Sequence, residues 1–116
     1  MITEKEALQK TAHTWRWLEE HPDKEKQDYF EQHDIRDIPE SACYCCEYDS
    51  QAKKDSEDDC VHCPLKALWR TTCYQDGSLY AVWYKVEKSN KNYLKIRSEY
   101  AGQIAAAAEA ELENCK

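Results

Sequence analysis

Ala42-Cys43-Tyr44-Cys45-Cys46-Glu47-Tyr48 and, after an acidic stretch, Cys60-Val61-His62-Cys63-Pro64-Leu65 are the part of this sequence that decides its fold. Two Cys-x-x-Cys pairs stand thirteen residues apart. Two intervening residues let both sulfurs of a pair point inward around a turn of backbone N–H groups, and two such knuckles complete a tetrahedron with Zn–S bonds of about 2.3 Å. The spacing predicts one structural zinc ion held by Cys43, Cys46, Cys60 and Cys63. Three neighbours compete for a place among the ligands: Cys45 adjoins Cys46, His62 lies inside the second pair, and Cys73 follows ten residues after Cys63. The other reading of Cys45 and Cys73 is a small buried thiol, because free cysteine packs as an apolar residue. Cys115 reads as a spare thiol near the chain's end.

Working outward, the residues on either side of the cysteines carry helical signals. Thr3-x-x-Glu6 is a capping box, and Leu8, Thr11, Ala12, Trp15 and Leu18 then fall on one helical face. Pro22 ends that helix and opens a second, expected over residues 22–33 with Tyr29 and Phe30 inward. Asp34 to Ser41 reads as a connector. The polar stretch Asp49 to Asp59 has no apolar periodicity and is expected to be a loop closed by the metal at its ends. Leu65 to Trp69 is a brief helical piece, and Ser78 is an N-cap for a helix to about Lys88, with Leu79, Val82, Trp83 and Val86 inward. Tyr93, Ile96, Tyr100, Ile104, Ala108 and Leu112 form one stripe of a last long helix, whose small residues Ala101, Ala105 and Ala108 invite close antiparallel packing. The fold class is therefore mainly α: a small helical domain with a zinc-stabilised loop between N-terminal and C-terminal helices. One domain is expected over 1–116, divided into helices over 1–41, a zinc-binding segment over 42–73 and helices over 78–116.

Composition agrees with that class and narrows the function. Two glycines and three prolines among 116 residues leave little material for the tight turns of an all-β fold. No apolar run is long enough to span a membrane, and Met1 to Glu6 lacks the basic and apolar regions of a signal peptide, so a cytoplasmic protein is expected. A reducing compartment disfavours structural disulfides, which leaves metal binding or thiol chemistry for seven cysteines. The net charge of −7 is unevenly spread: residues 1–63 are acidic, 64–97 are basic and 98–116 return to acidic. Nonspecific binding to nucleic acid is expected to be poor.

Four cysteines fill a zinc ion's coordination and leave no open position for water or substrate, so the expected role is noncatalytic. The alternatives are a nucleic-acid-binding zinc module using the basic segment 66–97 and a thiol redox protein using Cys60-Val61-His62-Cys63-Pro64. Neither the His-x-Glu with Pro-Cys-x-x-Cys of zinc deaminases nor a Gly-rich phosphate loop occurs. Trp15, Trp69 and Trp83 suit inward faces. Trp17 lies off the first helix's stripe and is the candidate anchor for a partner. His13, His21 and His33 stand among charged residues and read as solvated.

Ala42-Cys43-Tyr44-Cys45-Cys46-Glu47-Tyr48, Cys60-x-x-Cys63-Pro64-Leu65, and Cys73 with Gly77-Ser78-x-Tyr80-x-x-Trp83 together resemble a pattern in small bacteriophage accessory proteins of unassigned activity. The likeness spans roughly residues 42–83. It implies zinc binding, helical ends, and a phage protein in a bacterial cytoplasm that binds or inhibits a host protein, antiviral defence included.

Overall fold

The computed structural model describes residues 2–39, 42–54, 62–68 and 77–115. Among them are five α-helices: α1 (Glu4–Glu20), α2 (Lys26–Gln32), α3 (Tyr44–Ala52), α4 (Leu79–Lys85) and α5 (Tyr93–Asn114), with a 3-10 turn at Lys66–Leu68. None of these helices is long and apolar enough to cross a membrane. The mainly helical class read from the sequence is the observed one.

The capping box forms as expected, with Thr3 Oγ1 accepting the Glu6 N–H at 3.1 Å while the Glu6 carboxylate accepts the Thr3 N–H at 3.3 Å. Leu8, Thr11, Ala12, Trp15 and Leu18 are all buried, so the helical stripe is the core face. Against it lies α5, whose Ala101, Ala105 and Ala108 are fully buried. The two helices run antiparallel: Ser98 Oγ near the start of α5 donates to the Glu19 carbonyl at 3.0 Å, while Cys115 at its end reaches Glu4. Small side chains make this approach close. Gly102 faces the Glu19 carboxylate directly, and a Cβ there would press into it. Arg16 holds the same edge by donating to Glu109 at 2.9 and 2.5 Å and to Glu19 at 2.9 Å.

Helix α4 begins where Ser78 was expected to cap it, with Ser78 Oγ accepting the Ala81 N–H at 3.1 Å, and ends at Lys85 rather than Lys88. Its Trp83 is 1% exposed and meets Trp15 edge to face at 4.8 Å. The described part of the piece expected over Leu65 to Trp69 is a 3-10 turn at Lys66–Leu68.

Two expectations fail for identifiable reasons. Helix α2 starts at Lys26, not Pro22, and Glu25 and Asp28 close its first turn in place of the proline. The Pro22 and Lys24 carbonyls, which an earlier start would turn along the helix, instead accept hydrogen bonds from Arg97 at 3.3 and 2.7 Å. The stretch expected to be a loop from residue 49 onward is helical through Ala52, and α3 begins at Tyr44. Its periodicity is hidden because polar residues face inward. Asp49 is 5% exposed and accepts the His62 N–H at 2.7 Å, and the Gln51 amide both accepts from and donates to the Ile2 backbone. Residues 55–61 lie outside the described ones.

Arg97 is the deepest charge in the protein's described part. It is 2% exposed, its guanidinium lies 3.9 Å from the centre of the Trp83 ring, and it donates to the Pro22, Lys24 and Trp83 carbonyls and to the Glu25 carboxylate. Replacing Arg97 by Met keeps an apolar stem but strands the carbonyls. Arg97→Met is expected to cost about 3 kcal/mol of stability. Glu25→Gln should cost about 1 kcal/mol or less, because the Glu25 side chain is half exposed. Urea unfolding of the two variants checks this, and equal midpoints would show that the buried guanidinium does not organise the fold.

Candidate metal centre

Cys43 sits in extended backbone (φ −144°, ψ 114°) immediately before α3, and its Sγ accepts the Cys46 N–H at 3.3 Å. That is the position a serine or aspartate normally takes at a helix start, so here the thiol is the N-cap. It is also the N–H···S contact of a Cys-x-x-Cys knuckle. Hydrogen bonding from the Cys46 thiol lowers the Cys43 thiol to about 6. Burial opposes the shift, and the nearby Lys26 ammonium and the Cys46 and Cys45 backbone N–H groups favour it. A thiol held in this range is largely thiolate at neutral pH, which is the form that binds metal or attacks disulfides.

Cys45 points the other way. It is 1% exposed, lies 3.3 Å from the Thr11 hydroxyl of α1, and is held as the protonated thiol by its hydrogen bond with Cys63, by burial, and by the nearness of Cys43 and Cys63. Cys63 is buried too, and its carbonyl accepts the Lys66 N–H at 2.9 Å, closing a turn over Pro64 and Leu65. The buried Asp49 fixes His62 from the α3 side by accepting its backbone N–H. The α3 start and the Cys63 turn are therefore packed together on the Thr11 face of α1, although they are sixteen residues apart between Cys46 and His62.

Of the four predicted ligands, the structure brings Cys43 to Cys46 and places Cys63 against Cys45. Among the described residues it gathers no three His, Cys, Asp or Glu side chains as a metal-binding group. Cys60 and the alternative ligand Cys73 lie outside the described residues, as does Trp69. Thr11 and Asp49 were not foreseen as part of this region. The available signal was polarity where the pattern calls for an apolar side chain: Thr11 interrupts the α1 stripe, and Asp49 is the inward residue of α3.

The remaining sequence-flagged residues fall elsewhere. Trp17 is half-buried, stacked on His21 at 4.2 Å and edge-on to Tyr29 at 5.7 Å and His33 at 5.9 Å. His13 and His33 are exposed, in keeping with solvated residues, and all three histidines also pack against aromatic rings. Arg97, one of the basic groups of 66–97, is buried and unavailable to a surface ligand. Lys88, Lys91 and Lys95 do line one open cleft, of about 670 Å³, together with Asp23, Asn90, Asn92, Tyr93 and Leu94.

Comparison with family models, curated proteins and solved structures finds no match to this chain.

The lowered thiol carries a pH signature. A folded thiol held below its ordinary range contributes stability that is present above that range and is lost as pH falls through about 6. Urea unfolding of the reduced protein over a pH series checks the sign: the midpoint should fall as pH drops through about 6, and no change across that range would show that the Cys46 contacts do not lower the Cys43 thiol.

Proposed function

We propose that this chain is a noncatalytic binding protein whose helical body is fastened by one structural zinc ion, and that it acts by engaging another protein. The observation that carries the reading is the Cys43 thiol, which caps α3, accepts the Cys46 N–H at 3.3 Å and is lowered toward thiolate. Cys43 and Cys46 are assigned as one knuckle and Cys60 and Cys63 as the other, with Cys45, His62 or Cys73 as the competing ligand. When bound, zinc would supply charge neutralisation and cross-linking to the segment between α3 and the 3-10 turn. The protein's own residues set its surroundings: Thr11 anchors the Cys45 side of the cluster to α1, and Asp49 holds the backbone at His62. Four thiolates leave zinc no open position, so the centre is structural and function falls to the exposed faces. Trp17, with its rings grouped between α1 and α2, remains the residue assigned to partner contact. A phage protein acting on a host factor, antiviral defence included, fits the motif resemblance.

A second reading has an observation of its own. Lys88, Lys91 and Lys95 share a cleft at the start of α5, which favours a nucleic-acid module over an acidic chain average. Two facts weigh against it. The buried Arg97 leaves the basic face smaller than the sequence count implies, and the whole chain carries −7.

Elemental analysis of reduced, monomeric protein should find one zinc per chain. Cys43→Ser or Cys60→Ser should lose the metal and unfold the protein, because a structural site contributes about 10–16 kcal/mol of folding free energy in small zinc domains. Cys73→Ala should keep zinc at a cost of about 1 kcal/mol. Retention of zinc by Cys63→Ala and its loss from Cys73→Ala would reassign the second knuckle. Gel shifts across a salt series decide between the readings. Random DNA or RNA should bind weakly and dissociate as salt rises, whereas tight binding at physiological salt, abolished by Lys88→Glu with Lys95→Glu, would establish the nucleic-acid module.

A further inference from the structure

Away from the cysteines, α1 and α2 bring two exposed imidazoles together. The His13 and His33 ring centres lie 5.5 Å apart with their planes at 83°. Both rings are held by a single residue of α2. Tyr29, 4% exposed, contacts His13 Nδ1 through its hydroxyl at 2.6 Å and accepts from His33 Nδ1 through its backbone carbonyl at 2.8 Å. The Tyr29 ring also packs against both imidazoles, at 5.7 Å from His13 and 4.2 Å from His33. Residues twenty apart in sequence thus share one support.

These hydrogen bonds determine which ring nitrogen is free. A carbonyl only accepts, so His33 Nδ1 must carry the proton, and the lone pair of the neutral ring is on Nε2. At His13, Nδ1 is engaged by the Tyr29 hydroxyl, which burial keeps protonated. In the tautomer that donates from Nδ1 to Tyr29 Oη, the His13 lone pair is likewise on Nε2. Both imidazoles are thus held at Nδ1, which leaves Nε2 for a ligand. This is the arrangement by which outer contacts fix the tautomer and orientation of metal-binding histidines.

We propose that His13 and His33 form a two-imidazole site for a borderline divalent transition metal of the nickel, copper or zinc type, distinct from the cysteine centre. Two imidazoles bound through Nε2 to one ion, at about 2 Å each, have ring centres about 5 Å apart. The observed 5.5 Å between ring centres is close to that separation. Imidazole suits these metals and discriminates against magnesium and calcium, which prefer oxygen. No third His, Cys, Asp or Glu joins the pair among the described residues, so water would complete the coordination of an ion held by these two rings. His21 belongs to a different contact: its Nδ1 donates to the Trp17 carbonyl at 2.8 Å, and its ring stacks on Trp17.

The test uses the full, reduced chain with its cysteine sites saturated by zinc, titrated with Ni(II) alone and followed by amide NMR. Paramagnetic broadening should centre on His13, Tyr29 and His33, and mapping by residue separates this site from the cysteine segment whether or not that segment takes zinc. His13→Gln and His33→Asn retain side-chain hydrogen bonding without an imidazole and should each weaken Ni(II) binding by at least about tenfold, whereas Tyr29→Phe should weaken it by about tenfold through loss of positioning. His21→Ala should leave it unchanged, and amide spectra away from the patch report that each variant is folded. Broadening confined to residues 43–63, or unchanged affinity in both His13→Gln and His33→Asn, would overturn the site.

Discussion

A buried guanidinium organises one end of this protein. Arg97 lies near the start of α5, yet its donors are spent on the turn between α1 and α2 and on the end of α4. Burying a charge costs several kcal/mol unless its hydrogen-bonding capacity is used, and here three carbonyls, a carboxylate and the Trp83 and Tyr93 ring faces use it. The constraint propagates. It delays the start of α2 to Lys26, sets Tyr29 and Phe30 against the core, and leaves Lys26 above the Tyr80 ring at 4.7 Å, where its ammonium also favours the Cys43 thiolate. The α1–α5 pair supplies most of the apolar core, and Arg97 decides how the shorter helices attach to it.

The cysteine region is fastened to α1 through Thr11, on the core face. A nine-residue helix is short for independent stability, and α3 has polar groups where apolar ones would ordinarily hold it. Its order comes from specific contacts instead: a thiol cap at Cys43, the Cys45–Thr11 pair, the Asp49 bond to the His62 backbone and the two-way bond of Gln51 with Ile2. All of these contacts except the Cys43 cap join α3 to a segment distant in sequence. A metal cross-link between the α3 start and the turn at Cys63 would restrain the same two segments, which is why the proposed zinc and the observed hydrogen bonds support one arrangement.

Much of the helical framework was legible because its signals are local. Thr3 with Glu6, Ser78, and the stripes Leu8 to Leu18 and Tyr93 to Leu112 state their structure within a few turns of chain. Helix α3 was not legible, since Asp49 and Gln51 find hydrogen-bond partners at His62 and Ile2, thirteen and forty-nine residues away. Arg97 read as one more surface charge for the same reason. In the candidate site, the Cys-x-x-Cys spacing pointed to the Cys43–Cys46 contact, whereas the pairing of Cys45 with Cys63 depends on Thr11 and could not be read from spacing. The grouping of His13 and His33 required knowing that α2 folds back onto α1.

Zinc K-edge absorption on the reduced, purified protein tests the metal centre most directly, because it counts the atoms around the ion without presuming which cysteines supply them. Four sulfur neighbours at about 2.3 Å are expected. A shell dominated by nitrogen or oxygen, or protein that folds without bound zinc, would contradict the assignment of these cysteines to a structural zinc site.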